Sequence, residues 1–471
     1  MQAKIFFGST EATKENLSER KSPYSGEVVS TAPICDELDA KKALDIAQRA
    51  SQAAKASTLA QRCSWLLDVA KKLGENKEDI AKTITDEVGK PITFARVEVE
   101  RCIETITLSA ETMRTMHGET INTDAMASGK KTLSFFRREP VGVVVAITPF
   151  NFPLNLVAHK LGPALVAGNC VVLKPTPEAP LTSYKFAKLF IESEYAVKDA
   201  LSVVYGDAEV GSALISSDIP RVISFTGSVP VGNIITKNSG IKKIGLELGG
   251  NAATFIEKTA DLKLAASRCA LGAFVNSGQV CISLQRIYVA SEVYDEFASL
   301  MAQETKKLIV GSPYEDDTFM GPLIDDEAAE RAMGWVESAM KEGATALLTP
   351  KRDGRMFYPC VMADVTDDMA IVCEEVFAPI VSLVKVNSFD DALPRMNNSP
   401  YGLQFSVFTN DLSITNRAID ELNAGGIVIN DMPTLRFDIQ PYGGVKLSGV
   451  GREGPRFAIE EMTEIKSVVI C

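Results

Sequence analysis

Val141-Gly142-Val143-Val144-Val145-Ala146-Ile147 runs into Thr148-Pro149-Phe150, and how that stretch folds decides the architecture. Val and Ile are stiff at the first side-chain torsion and sit well on a pleated surface. An apolar run without alternation fits a strand buried on both faces. Four more such runs follow: Cys170–Leu173, Leu201–Val204, Val222–Phe225 and Lys243–Leu246. Amphipathic stretches of helical period, about ten to fifteen residues long, separate them. This alternation predicts an α/β fold, with βαβ units around a parallel sheet.

Upstream, residues 37 to 117 read mostly as helix. Apolar residues recur at helical spacing through Ala40–Ala56, Leu59–Leu73 and Ile80–Val88, and Gly89-Lys90-Pro91 interrupts them. Leu133–Arg137 reads as an exposed strand. Downstream, a second alternating region spans about 252 to 430, with strand-like runs at Arg286–Val289, Ile380–Val386 and Gly426–Ile429. A chain of 471 residues exceeds one ordinary core, so two large domains and a smaller element are expected, with a cleft between the two.

A formal charge of -12 argues against nucleic acid as a partner. No apolar run is long enough for a membrane helix, and Met1 to Arg20 has no leader pattern, so a cytoplasmic protein is expected. Nine scattered cysteines without a CxxC pair read as free thiols. With only His117 and His159, a histidine-based triad or metal site is hard to assemble. A catalytic base is then expected to be a carboxylate, and no metal is expected.

Gly449-Val450-Gly451-Arg452-Glu453-Gly454 matches the dinucleotide fingerprint, but too few residues follow it to supply a helix and second strand. It reads as a turn. A better phosphate cradle is Phe225-Thr226-Gly227-Ser228, where a strand ends and a helix begins near Ser228. Cys281, in Asn276-Ser277-Gly278-Gln279-Val280-Cys281, is a candidate nucleophile. Glu247, before Leu248-Gly249-Gly250, is a carboxylate at a strand end. Asn151, in Thr148-Pro149-Phe150-Asn151-Phe152-Pro153, is an amide donor in a loop. Singly, each has a bland reading: a buried structural thiol, a turn carboxylate, an Asx-turn.

Together, and in this order, these segments resemble the aldehyde dehydrogenase superfamily. Lys174-Pro175, Glu375-Val376-Phe377-Ala378-Pro379 and Pro441-Tyr442-Gly443-Gly444-Val445-Lys446 extend the match over nearly the whole chain. The resemblance implies a Rossmann-like cofactor domain (1–121 and 141–249), an α/β catalytic domain (250–446) and a small β oligomerisation arm (122–140 and 447–471). It implies Cys281 as nucleophile, Asn151 as oxyanion donor, Glu247 as the base that activates water, and Lys160 near the catalytic centre. Because relatives that pass the acyl group to coenzyme A generally lack that glutamate, a free acid is the expected product. The cofactor site it implies comprises Thr148, Phe150, Lys174, Pro177, Gly206, Gly211, Thr226, Gly227, Ser228, Gly232, Leu248, Glu375 and Phe377.

NAD-preferring relatives usually carry glutamate three residues after the lysine, where this chain has Pro177 and the glutamate falls at 178. The cofactor is therefore expected to be NADP or NAD, with NADP accepted or even preferred because no carboxylate at 177 repels a 2′-phosphate. Phe150 and His159 stand where relatives that take long apolar aldehydes tend to carry tryptophan. The chain is most similar to lactaldehyde, glyceraldehyde and succinate-semialdehyde dehydrogenases, so a small polar or anionic aldehyde is expected. Arg101 and Arg436 are the candidates for its head group, with Phe152 and His159 along the substrate tunnel. Leu133–Arg137 and Glu464–Ile470 match the family's arm, implying a homodimer or homotetramer. Two rivals are a cofactor-independent thiol esterase and a non-catalytic family member.

Overall fold

A computed structural model describes the protein from Met1 to Cys471. Five parallel strands form the centre of an eight-stranded sheet, in spatial order Leu201–Val203, Cys170–Lys174, Val143–Ile147, Val222–Thr226 and Lys243–Glu247. Among these five the chain begins at Val143–Ile147 in the middle, winds outward through two strands, then crosses to the other side. That reversal opens a crevice beyond the carboxyl ends of Val143–Ile147 and Val222–Thr226, the place where open α/β sheets bind ligands. These strands formed where expected because Val144, Val145, Val171 and Val172 are fully buried between helices on both faces.

Two antiparallel strands, Ile5–Phe7 and Thr10–Ala12, extend one edge, and Gly449–Val450 extends the other beside Leu246 and Glu247. A second sheet of seven strands, parallel apart from Thr345–Ala346, has Ala252–Ile256 and Leu284–Ala290 near its centre. Leu248–Asn251 carry the chain directly from the last parallel strand of the first sheet into the second.

The segment expected to complete the arm divides. Gly449–Val450 joins the first sheet, helix Pro455–Glu461 packs on helices Ile92–Thr115 and Asn155–Val166, and only Thr463–Ile470 pairs with Leu133–Pro140. That pairing is antiparallel over eight residues, from Thr463 opposite Pro140 to Ile470 opposite Leu133.

A buried ion pair ties the helical layer to the loop after Val143–Ile147. Glu98, on helix Ile92–Thr115, pairs with Lys90 with both side chains 1% exposed. Its other oxygen accepts from the backbone N–H of Leu154 (2.9 Å) and Asn155 (3.1 Å). Helix Asn155–Val166 has no side-chain cap of its own, so Glu98 serves as one from a distance. The Lys90 ammonium lies 3.9 Å from the Phe152 ring centroid. Glu98→Ala leaves this ammonium buried without its partner and is expected to lower stability by about 3–5 kcal/mol. Adding Lys90→Met should recover much of the loss. Urea unfolding of the two variants checks this, and an unchanged midpoint for Glu98→Ala contradicts it.

Candidate active site

Helix Leu262–Phe274 ends in a turn where Asn276, Ser277 and Gly278 all have positive φ (51°, 56° and 72°). Such left-handed residues cost energy and persist only where their surroundings fix them. Ser277 donates to the Gly321 carbonyl (2.8 Å), Gln279 Oε1 accepts from Ile324 N–H (3.0 Å), and a Cβ on Gly278 would sit 2.2 Å from the Ala378 carbonyl oxygen. The turn delivers Cys281, half-buried, just before strand Leu284–Ala290.

The glycines after Glu247 bring the other lip of the cleft to this turn. A Cβ on Gly250 would lie 2.1 Å from the Cys281 carbonyl oxygen, and one on Gly249 would lie 2.3 Å from Glu375 Oε2. No side chain fits at 250, and one at 249 would push the Glu375 carboxylate aside. Glu247, Cys281 and Asn151 consequently line one cavity of about 950 Å³. The Asn151 amide donates to the Gln279 carbonyl (3.1 Å), one of its two N–H bonds, while the Cys281 backbone N–H makes no bond within the protein. Glu247 is 5% exposed and its Oε2 has no partner.

Burial pushes the Cys281 thiol up to about 12, against a hydrogen bond from Tyr442 and the charge of Arg436. Burial and the neighbouring Glu453 hold Glu247 well above the usual carboxylate range. Beneath them lies a network of charges. Glu453 accepts from Lys160 (3.2 Å) and Arg436 (3.1 Å). Despite burial, Lys160, His159 and Arg436 bring its carboxyl down to about 2. Asp438 takes both Nε (2.9 Å) and Nη2 (2.7 Å) of Arg101 and lies 3.0 Å from His159 Nε2. Arg436 stacks 3.7 Å from the Tyr442 ring centroid.

The cavity extends to the switch point of the first sheet. Its wall there includes Thr148, Phe150, Thr226, Gly227, Ser228 and Leu248. The hydroxyls of Thr148 and Thr226 are buried and unpartnered, as groups awaiting a ligand are. Ser228 caps helix Val229–Asn238 without spending its side chain, so its hydroxyl and the first amides of the helix are available to a pyrophosphate. Glu375, held by Gly250 N–H (2.9 Å) and pushed up to about 7 by burial, faces the same wall. Phe377, at φ 48°, meets Phe150 edge-on at 6.0 Å. These residues fit a nicotinamide dinucleotide.

Several expected residues do not themselves line the cavity, Lys160 among them, which lies just behind it on Glu453. Lys174, Pro177, Gly206, Gly211 and Gly232 are not in the wall either. Gly206 and Gly232 act sterically, since a Cβ would lie 2.6 Å from Val210 and 2.8 Å from Leu248. Pro177 is displaced by Glu178, which does line the cavity and accepts from Thr176, so the carboxylate absent at 177 reappears one residue later. His159 does not reach the tunnel; it is 1% exposed and buttresses Arg436 from behind. Arg101 is no free surface arginine, because Asp438 holds it bidentately. Phe152, Arg101 and Arg436 do line the cavity.

Sequence reasoning passed over Tyr442, Asp438, Lys90 and Glu453. The last sits inside the discarded glycine fingerprint, which is a short strand and bend where a turn was expected. A carboxylate between glycines was the available signal.

The aldehyde dehydrogenase family model matches residues 10–468. A 3-sulfolactaldehyde dehydrogenase of Priestia aryabhattai is 41% identical over 464 residues, covering 98% of this chain and 96% of that protein. A lactaldehyde dehydrogenase of Methanocaldococcus jannaschii is 41% identical over 456 residues, covering 95% and 96%. The solved structure of a glyceraldehyde-3-phosphate dehydrogenase from Methanocaldococcus jannaschii, in complex with NADP, superposes with a TM-score of 0.94. It is 40% identical, and the match covers 98% of this chain and 100% of that one. With the fold, the cavity and these likenesses in agreement, the chain belongs to the aldehyde dehydrogenase family, enzymes that oxidise aldehydes with a nicotinamide cofactor.

Proposed function

We propose that this chain oxidises a short 2-hydroxylated or anionic aldehyde to the free carboxylic acid through a thioester on Cys281. The observation that carries the reading is the convergence of a thiol, a carboxyl and a carboxamide from three separate segments on one cavity wall. Cys281 rests as a thiol because burial retains its proton. Glu247, made a stronger base by its own burial, is available to take that proton. The thiolate then attacks the aldehyde carbon. The resulting oxyanion would accept from the second Asn151 amide N–H and from the Cys281 backbone N–H, each such donor being worth about 2.7–4 kcal/mol of barrier. A bound nicotinamide supplies the hydride acceptor that side chains cannot provide. Glu247 then releases the thiol proton to solvent and takes a fresh one from water; the hydroxide adds to the thioester carbon, and the carbon–sulfur bond breaks to return the thiolate. Lys160 and Arg436 hold Glu453 ionised behind Glu247, keeping the buried site near electrical balance.

The names of the relatives describe three-carbon hydroxyaldehydes, two of them with an anionic far end. In this chain Arg101 faces the cavity with Nη1 uncommitted, while its other nitrogens hold Asp438. An anionic head group would meet that nitrogen. Arg101→Ala is expected to raise KM for 3-sulfolactaldehyde and succinate semialdehyde about tenfold or more, the worth of a charge-assisted hydrogen bond. KM for lactaldehyde should change far less. Equal losses for charged and neutral aldehydes contradict this assignment.

NADP and NAD are both taken on this reading. The carboxylate that discriminates between them is Glu178, which lines the cavity and acts electrostatically on Lys174. A 2′-phosphate beside Glu178 meets like charge. Glu178→Gln is therefore expected to raise the NADP/NAD ratio of kcat/KM about tenfold. A ratio that does not move places the discrimination elsewhere.

The ribbon of Leu133–Pro140 with Thr463–Ile470 exposes Leu133, Ile465, Val469 and Ile470. Apolar edges of this kind support a dimer, or a dimer of dimers, built through the arm. Nine free cysteines support a reducing, cytoplasmic setting.

A further inference from the structure

Tyr442 presents the only side chain that hydrogen-bonds the reacting sulfur: its hydroxyl lies 3.0 Å from Cys281 Sγ. That hydroxyl has no other partner, and the residue is 6% exposed. A buried phenol must find an acceptor, and here the sulfur is the one in reach. The residue is closely held. Its N–H donates to the Glu453 carbonyl (3.1 Å) and its own carbonyl accepts from Glu453 N–H (2.6 Å). The ring packs with Val280, Ile282 and Leu403 on one side, under the Arg436 guanidinium at 3.7 Å from its centroid. The hydroxyl therefore cannot swing away without moving the charge network. Burial raises the phenol's own pKa, so it keeps its proton while the sulfur is anionic.

We infer that Tyr442 is a catalytic residue that donates a hydrogen bond to the Cys281 thiolate, both when the sulfur attacks and when it departs. The inference rests on the thioester reading above. In attack, the sulfur lone pair forms the carbon–sulfur bond and the carbonyl π pair moves to oxygen. In departure, hydroxide derived from water bonds to the acyl carbon and Glu247 holds the proton. The carbon–sulfur bond then breaks, and its electron pair returns to sulfur as thiolate. The Tyr442 proton stays on the phenol throughout. Its hydrogen bond is strongest at the two moments when sulfur carries charge, which is the condition for lowering a barrier.

The test is the pH dependence of Cys281 alkylation by iodoacetamide in the full-length protein, followed by mass spectrometry of the Cys281 peptide. In Tyr442→Phe the midpoint should rise, and the rate below it should fall about tenfold or more. NADP binding, read by protein fluorescence, should be unchanged. Incorporating 3-fluorotyrosine at 442, a more acidic donor of nearly equal size, should shift the midpoint the opposite way. Superimposable profiles for wild type and Tyr442→Phe overturn the role of Tyr442. Full dehydrogenase activity in Cys281→Ser would instead overturn the thioester reading beneath it, so the two failures are distinguishable.

Discussion

The backbone of Gly250 passes so near the Cys281 carbonyl that a single methyl group would collide with it. Everything else at the site follows from that approach. Gly249 and Gly250 let the chain leave the last parallel strand of the first sheet and enter the second without side chains between them. Glu247 is thereby left on one lip and Cys281 on the other. On the opposing side, the left-handed turn at Asn276–Gly278 is pressed against the Ala378 carbonyl, which again admits only glycine at 278. Two sheets meet through backbone, and their functional side chains meet in the space this leaves.

The groups that face that space are buried deeply enough to change their chemistry. Burial raises both the thiol of Cys281 and the carboxyl of Glu247, so each binds a proton more tightly than it would in water. Opposing this are Arg436 and Lys160, buried cations whose partners Glu453 and Asp438 are themselves held low. The arrangement keeps charge balanced while leaving one thiol and one carboxyl free to exchange protons. It also explains why Arg101 and His159 act at a distance from the reacting atoms: both secure Asp438, next to Arg436.

Much of this was legible in the sequence because it is local. Buried parallel strands announce themselves through β-branched runs, and each glycine-bearing turn sits beside the residue it positions. Strands such as Ile5–Phe7 and Thr10–Ala12 were not legible, since three residues carry no period. Long-range pairs escape for a related reason. Nothing in the helix around Arg101 forecasts Asp438, and nothing near Lys160 forecasts Glu453. Pro177 cannot be read without its neighbour, since a one-residue shift in a loop keeps the carboxylate on the wall through Glu178. Tyr442 was visible only as part of a motif; that its hydroxyl meets sulfur depends on four packed segments.

The central claim is that Cys281 carries the acyl group until water activated by Glu247 releases it. The most direct test mixes Glu247→Gln with aldehyde and NADP, then weighs the Cys281 peptide while recording reduced cofactor. One equivalent of reduced cofactor in a burst, with acyl mass retained on Cys281, is the predicted result. Steady turnover at the wild-type rate, with Cys281 unmodified, would contradict it.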